Sequence, residues 1–212
     1  MSDDNNNDQK TYKILVWGDS IGRQCEVPWP DRLLRSMQVS FYCGTDVEVV
    51  NITECGLSGI WGQNYFEEKV KPENPDLVII QFGFNDMRQD KAFGAHPIGT
   101  PDEYEAAMCN MIRNSKNIGA EVLVLGNHNF AFGNLLLYPN GMDGDQMVEL
   151  YRQRAENAAK KEGADYINMN DVFANNGLTS IAGTVDGCHL SDNGARVYTY
   201  TVQRYVMKKL LA

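Results

Sequence analysis

Leu77-Val78-Ile79-Ile80 and Val122-Leu123-Val124-Leu125 carry an apolar residue at every position. A strand with one wet face alternates apolar and polar residues, so an unbroken run must be covered on both faces. Tyr12–Trp17 (YKILVW), Val47–Ile52 (VEVVNI) and Tyr166–Met169 (YINM) supply three further strand candidates. Amphipathic stretches near 29–38, 62–71, 102–118, 145–162 and 193–211 lie between and after them. In the fourth, Met147, Leu150, Tyr151, Ala155, Ala158 and Ala159 form an i, i+3/i+4 stripe. Strands covered on both faces, each followed by a helix, predict a parallel sheet in a three-layer α/β/α domain.

The chain of 212 residues suits one such domain, expected over 11–212, after a polar, flexible tail over 1–10. No internal repeat or Pro-, Gly- or Ser-rich linker divides it. Its net charge of −9 argues against nucleic acid or an anionic membrane as partner. No apolar run reaches the roughly 20 residues of a transmembrane helix. Met1-Ser2-Asp3-Asp4 does not resemble a secretory signal, so a cytoplasmic location is expected. Five cysteines without a CxxC pair favour free thiols, and three scattered histidines give no metal-binding pattern.

Chemistry concentrates at the predicted strand ends, where open α/β sheets bind ligands. The first strand runs into Gly18-Asp19-Ser20-Ile21-Gly22, which places a serine at that edge between glycines. A hydroxyl needs a base to become a nucleophile, and imidazole suits that task near neutral pH. Asp186-Gly187-Cys188-His189 offers one, with a carboxylate three residues before it that can fix the tautomer. Ser191 or Asp192 would then cap the last helix. Gly83-Phe84-Asn85-Asp86 follows LVIIQ and holds an amide that could donate to a developing oxyanion. Gly56-Leu57-Ser58-Gly59 follows VEVVNI, where a glycine N–H could point at the same oxygen. Each motif alone is also ordinary turn chemistry.

Together, in this order, the four motifs resemble the SGNH hydrolases, also called the GDSL esterases and lipases. The resemblance implies a five-stranded parallel, flavodoxin-like sheet of order 2-1-3-4-5. It implies Ser20 as nucleophile, His189 as base and Asp186 as its partner. The oxyanion hole would come from the N–H groups of Ser20 and Gly59 and the Asn85 amide, with Gly56 the less favoured match. Neither a metal nor an organic cofactor is implied. The expected activity is a serine esterase acting on a small-molecule or glycan ester, favouring short acyl groups on polar alcohols such as acetylated carbohydrate. A lipid or aryl esterase, or a lysophospholipase-thioesterase, is the alternative, and a catalytically inactive binding module the alternative of another class. Ile21 departs from the leucine of the family name.

Other residues are weighed against this set. His128 also follows a strand and is the rival base, but lacks the preceding carboxylate; His96 is expected in a surface turn. Asp19 and Asp86 are expected to hold loops, Arg23 to be solvated, and Cys188 to be a small buried hydrophobe. The segments 86–101 and 127–144 are candidate substrate walls. Polar residues such as Asn127, Asn129, Asn134, Asn140 and Asp143 favour a polar alcohol, whereas Phe130–Tyr138 (FAFGNLLLY) suits an apolar ester. Trp17, Trp29, Trp61, Phe84, Phe130, Phe132 and Tyr138 are individually expected to be core.

Overall fold

The computed structural model describes residues 11–39, 46–89 and 98–210. Five parallel strands, β1 (Tyr12–Gly18), β2 (Val47–Asn51), β3 (Leu77–Gln81), β4 (Glu121–Gly126) and β5 (Asp165–Asn168), form one sheet of order β2-β1-β3-β4-β5. The predicted strands are all present, with ends displaced by one residue or less. Burial explains their sequences. Every residue of β3 is buried, while the edge strands β2 and β5 are only half-buried. The runs without polar residues are therefore the central strands, and those interrupted by Glu48 or Asn168 lie at the edges.

Among the described residues, seven α-helices accompany the sheet: α1 (Trp29–Val39), α2 (Gly59–Gly62), α3 (Pro101–Asn117), α4 (Gly144–Glu162), α5 (Met169–Asn175), α6 (Ser180–Gly183) and α7 (Asp192–Leu210). They cover both faces, with α1 packed on α7 and α3 on α4. Met147, Tyr151, Ala155, Ala158 and Ala159 of the predicted stripe are buried, and Leu150 packs partly buried against the core. Reciprocal side-chain caps open the long helices: Thr100 with Glu103 for α3, Asp143 with Gln146 for α4. Ser191 Oγ accepts the Gly194 N–H at the start of α7, so the expected capping position is Ser191.

The helix expected over 62–71 takes another form. One α turn, α2, is followed by 3₁₀, π and 3₁₀ turns as far as Glu73. Gly59 and Gly62 weaken a regular helix, and Pro72 cannot donate to the carbonyl four residues earlier. The short α5 was not expected. Its sequence is rich in Asn and Asp, and it forms because the Asn168 side chain accepts the N–H groups of Asn170 and Asp171. That cap also ends β5 one residue before the expected boundary. His96 and Cys43, like residues 1–10, lie outside the described residues; Cys25, Cys55, Cys109 and Cys188 are free thiols. No helix among the described residues is long and apolar enough to cross a membrane.

Gly18 ends β1 in close contact with β3. It pairs with Gln81, and a β-carbon added there would lie 2.5 Å from the Gln81 carbonyl oxygen. Gly18→Ala is expected to destabilise the protein by about 1–3 kcal/mol, the usual cost of overpacking a tight interior. Equilibrium denaturation with urea measures this; an unchanged midpoint would show that the strands separate without cost.

Candidate active site

Ser20 opens a single 3₁₀ turn, Ser20–Gly22, directly beyond β1. Its hydroxyl lies 3.0 Å from His189 Nε2, across 169 residues of sequence. On the other side of the ring, His189 Nδ1 lies 2.6 Å from Asp186 Oδ2. The structure therefore brings Ser20, His189 and Asp186 into one hydrogen-bonded row.

The loop 184–190 builds the Asp–His half by itself. A bridge between Thr184 and Leu190 closes its base, and the Val185 N–H donates to the His189 carbonyl at 2.9 Å. Asp186 Oδ1 accepts the backbone N–H of Cys188 at 3.0 Å and of His189 at 2.8 Å, leaving Oδ2 for the ring. Gly187 turns the chain with φ +91°, a conformation costly for other residues. Partial burial raises the Asp186 pKa, but the His189 ring and the two backbone donors outweigh it and draw it down to about 2. Asp186 is thus a carboxylate at neutral pH.

Asn85 and Asp86, just beyond β3, grip the loop after β2. Asn85 Nδ2 donates to the Leu57 carbonyl at 3.1 Å, which uses one of the two amide hydrogens. Asp86 accepts the N–H of Gly59 at 2.8 Å and of Ile60 at 3.2 Å. Gly59, the favoured backbone donor, thus has its N–H committed to a buried carboxylate. Gly56 differs. It is exposed, has φ +80°, and its N–H, like that of Ser20, has no partner among the described residues. Motif register in the sequence favours Gly59 over Gly56. The distinction depends on a carboxylate 27 positions from Gly59, and no local pattern reports it.

Asp19 and Asp86 hold loops. Asp19 Oδ1 accepts the Ile21 N–H at 3.0 Å and so caps the turn that carries Ser20; its Oδ2 has no partner among the described residues. Burial raises the Asp19 pKa to about 7, with nearby Asp86 adding to the shift. Burial likewise raises Asp86 to about 6, against the pull of the Gly59 and Ile60 N–H groups.

The remaining candidates separate clearly. His128 is fully buried and makes no contact with the Ser20 hydroxyl; its ring nitrogens meet Tyr198 Oη at 2.9 Å and the Cys188 carbonyl at 2.8 Å. Trp17, Trp29 and Phe84 are core, whereas Trp61 and Phe132 are exposed. The Cys188 side chain is partly buried, and burial pushes its thiol pKa upward. Arg23 is exposed and lines two open grooves, and neither Ser20 nor His189 is among the residues lining them. One, of about 480 Å³, includes Val185, Leu190 and Asp192; the other, of about 460 Å³, includes Thr53, Glu54 and Lys69. The flap after β4 is tied to the histidine loop by an Ala131 N–H bond to the Gly187 carbonyl at 2.8 Å.

A parallel α/β sheet with a Ser–His–Asp row at its C-terminal edge defines a class of hydrolase, and the comparisons agree. The sequence profile of the GDSL-like lipase/acylhydrolase family matches residues 16–197, and the chain belongs to that family of hydrolases acting on esters. Among solved structures, a lipase/acylhydrolase from Enterococcus faecalis superposes with a TM-score of 0.73 at 19% identity, covering 93% of this chain and 96% of the other. An acetylxylan esterase from Geobacillus stearothermophilus gives 0.75 at 21% identity, covering 91% and 93%. At such identities the likeness establishes the shared fold. No curated protein matches the chain.

The two buried acids generate a pH dependence of stability. Both pKa values are raised by folding, so the stability that the protonated forms contribute is complete below about pH 4. It is lost as pH rises through about 6 for Asp86 and about 7 for Asp19. The melting temperature is expected to fall between about pH 4 and pH 7. Asp19→Asn keeps an acceptor for Ile21 and cannot ionise, so its melting temperature should fall less. An unchanged slope in calorimetry would remove Asp19 as a source.

Proposed function

We propose that this protein is a serine esterase that hydrolyses carboxylic esters through an acyl-enzyme. The observation that carries the reading is the continuous row Asp186–His189–Ser20, with bonds of 2.6 and 3.0 Å. His189 Nε2 accepts the hydroxyl proton as Ser20 Oγ attacks the ester carbonyl. Asp186 holds the ring and balances the imidazolium. His189 then returns the proton to the departing alkoxide, which leaves as alcohol. A water, deprotonated by His189, attacks the acyl-enzyme; the acid departs, and the proton passes back to Ser20.

For the negative oxygen, we infer the Ser20 N–H and the second hydrogen of the Asn85 amide, joined by a glycine N–H from the loop after β2. Gly59 is the expected donor, although its N–H is bonded to Asp86 here, and Gly56 is the alternative, with an N–H that has no partner among the described residues.

We infer short acyl groups on polar alcohols, such as acetylated carbohydrate, as the preferred substrates. The polar residues Asn127, Asn129, Asn134, Asn140 and Asp143 in the segment after β4 support this, and the structurally similar Geobacillus protein is an acetylxylan esterase. One observation favours a second reading, an apolar ester: Phe132, Leu135, Leu136 and Leu137 stand exposed on the flap tied to the histidine loop. A panel of esters varying acyl length and alcohol decides between them. Acetylated oligosaccharides should outpace long-chain aryl esters in kcat/KM, and the reverse order would install the second reading.

Ser20→Ala should lower kcat by several orders of magnitude and abolish labelling by a fluorophosphonate. More than a tenth of the wild-type rate would refute the nucleophile. Loss of the second hydrogen-bond donor in Asn85→Ala should lower kcat about 10²–10³-fold with little change in KM, equivalent to about 2.7–4 kcal/mol. A lowered melting temperature with normal kcat would instead assign Asn85 only to its Leu57 bond.

A further inference from the structure

His128 is the one histidine other than His189 among the described residues, and it is wholly enclosed. Its ring stacks on Phe173 of α5 at 5.1 Å and meets Phe84, the neighbour of Asn85, edge-on at 5.3 Å. Tyr198 of α7 stands perpendicular to it at 5.8 Å. A hydrocarbon ring would satisfy all three contacts. What it could not supply are the two polar bonds. The Cys188 carbonyl can only accept, so His128 Nε2 carries a hydrogen and donates it at 2.8 Å. Nδ1 of the neutral ring is then bare and accepts the Tyr198 hydroxyl at 2.9 Å. Burial favours this neutral form by lowering the pKa to about 4. The tautomer is thereby fixed from both sides.

Cys188 immediately precedes His189. The loop 184–190 satisfies Asp186 by itself, but its bond to His128 ties its backbone to the end of β4, and Tyr198 extends that tie to α7. We propose that His128 is a positioning residue: by donating to the Cys188 carbonyl, with its tautomer set by Tyr198, it holds the His189 ring at bonding distance from Ser20. This inference rests on the Ser20–His189 reading and adds to it a second histidine that never meets substrate.

Three variants test it. His128→Phe keeps the ring contacts and deletes both nitrogens, and should lower kcat about tenfold or more with KM within about twofold, because small displacements of a base are costly. His128→Gln retains an N–H for the carbonyl and an oxygen for Tyr198, and should recover kcat to within about threefold of wild type. Tyr198→Phe releases the tautomer and should lower kcat less than His128→Phe. The double variant His128→Phe/Tyr198→Phe should be no worse than His128→Phe alone, since both act on one bond. Proton NMR supplies a signature that a merely structural role would not move. The downfield signal of the hydrogen between His189 and Asp186 should weaken or shift in His128→Phe and return in His128→Gln.

A folded His128→Phe protein with wild-type kcat and an unchanged signal would overturn the inference. If that variant does not fold, wild-type kcat in Tyr198→Phe overturns it equally. Ser20→Ala, assayed alongside, separates the levels. A silent Ser20→Ala beside an undiminished His128→Phe removes only the positioning role, whereas an active Ser20→Ala removes the nucleophile reading on which it stands.

Discussion

The site depends on the pairing of β1 with β3. Gly18 and Gln81 are register partners at the ends of these strands, and the Asp19 N–H still reaches the Gln81 carbonyl at 3.3 Å. Ser20 follows Gly18 by two residues and Asn85 follows Gln81 by four, so one strand contact sets where both begin. The β2 loop is then drawn to β3 by Asn85 and Asp86, and the histidine loop is brought in by α7. Each later attachment presupposes this edge, and a side chain at Gly18 would force the two strands apart.

Three carboxyl groups serve the site in different states, set by their surroundings. Asp186 is half exposed and accepts three N–H bonds, which keep it ionised beside the His189 ring. Asp19 and Asp86 are buried, and both are pushed toward their neutral forms. Opposite shifts of this kind limit repulsion among neighbouring acids while leaving a full negative charge where the imidazolium would form.

What was legible in the sequence follows from whether a local rule decides it. Burial on both faces writes itself into LVIIQ and VLVL, so the central strands could be placed closely. The spacing of Asp186 and His189 is local too, and the loop realises it with its own backbone. Ser20 and Asn85 were legible because strand ends and turn residues mark them. Which glycine keeps a free N–H was not, since Asp86 reaches Gly59 through the fold and nothing beside Gly59 announces it. His128 presented the same difficulty. Its sequence neighbours suggest a strand-end base, while its actual bonds run to Cys188 and Tyr198, 60 and 70 residues away. The irregular stretch from Gly59 to Glu73 shows the converse limit, where apolar periodicity persists although glycine and proline defeat the regular hydrogen-bond ladder.

The 169 residues separating Ser20 from His189 also have a temporal meaning. Contacts between distant parts of a chain form late, because loop closure must precede the interactions that reward it. During synthesis the serine leaves the ribosome long before the histidine, and domains generally fold as units, from the N-terminal side first. A nascent chain with a finished β1–β3 edge would still be catalytically silent until α7 docks and delivers the loop ahead of it. If Ser20 and His189 carry the chemistry as proposed, a refolding chain would regain activity only once this loop is in place.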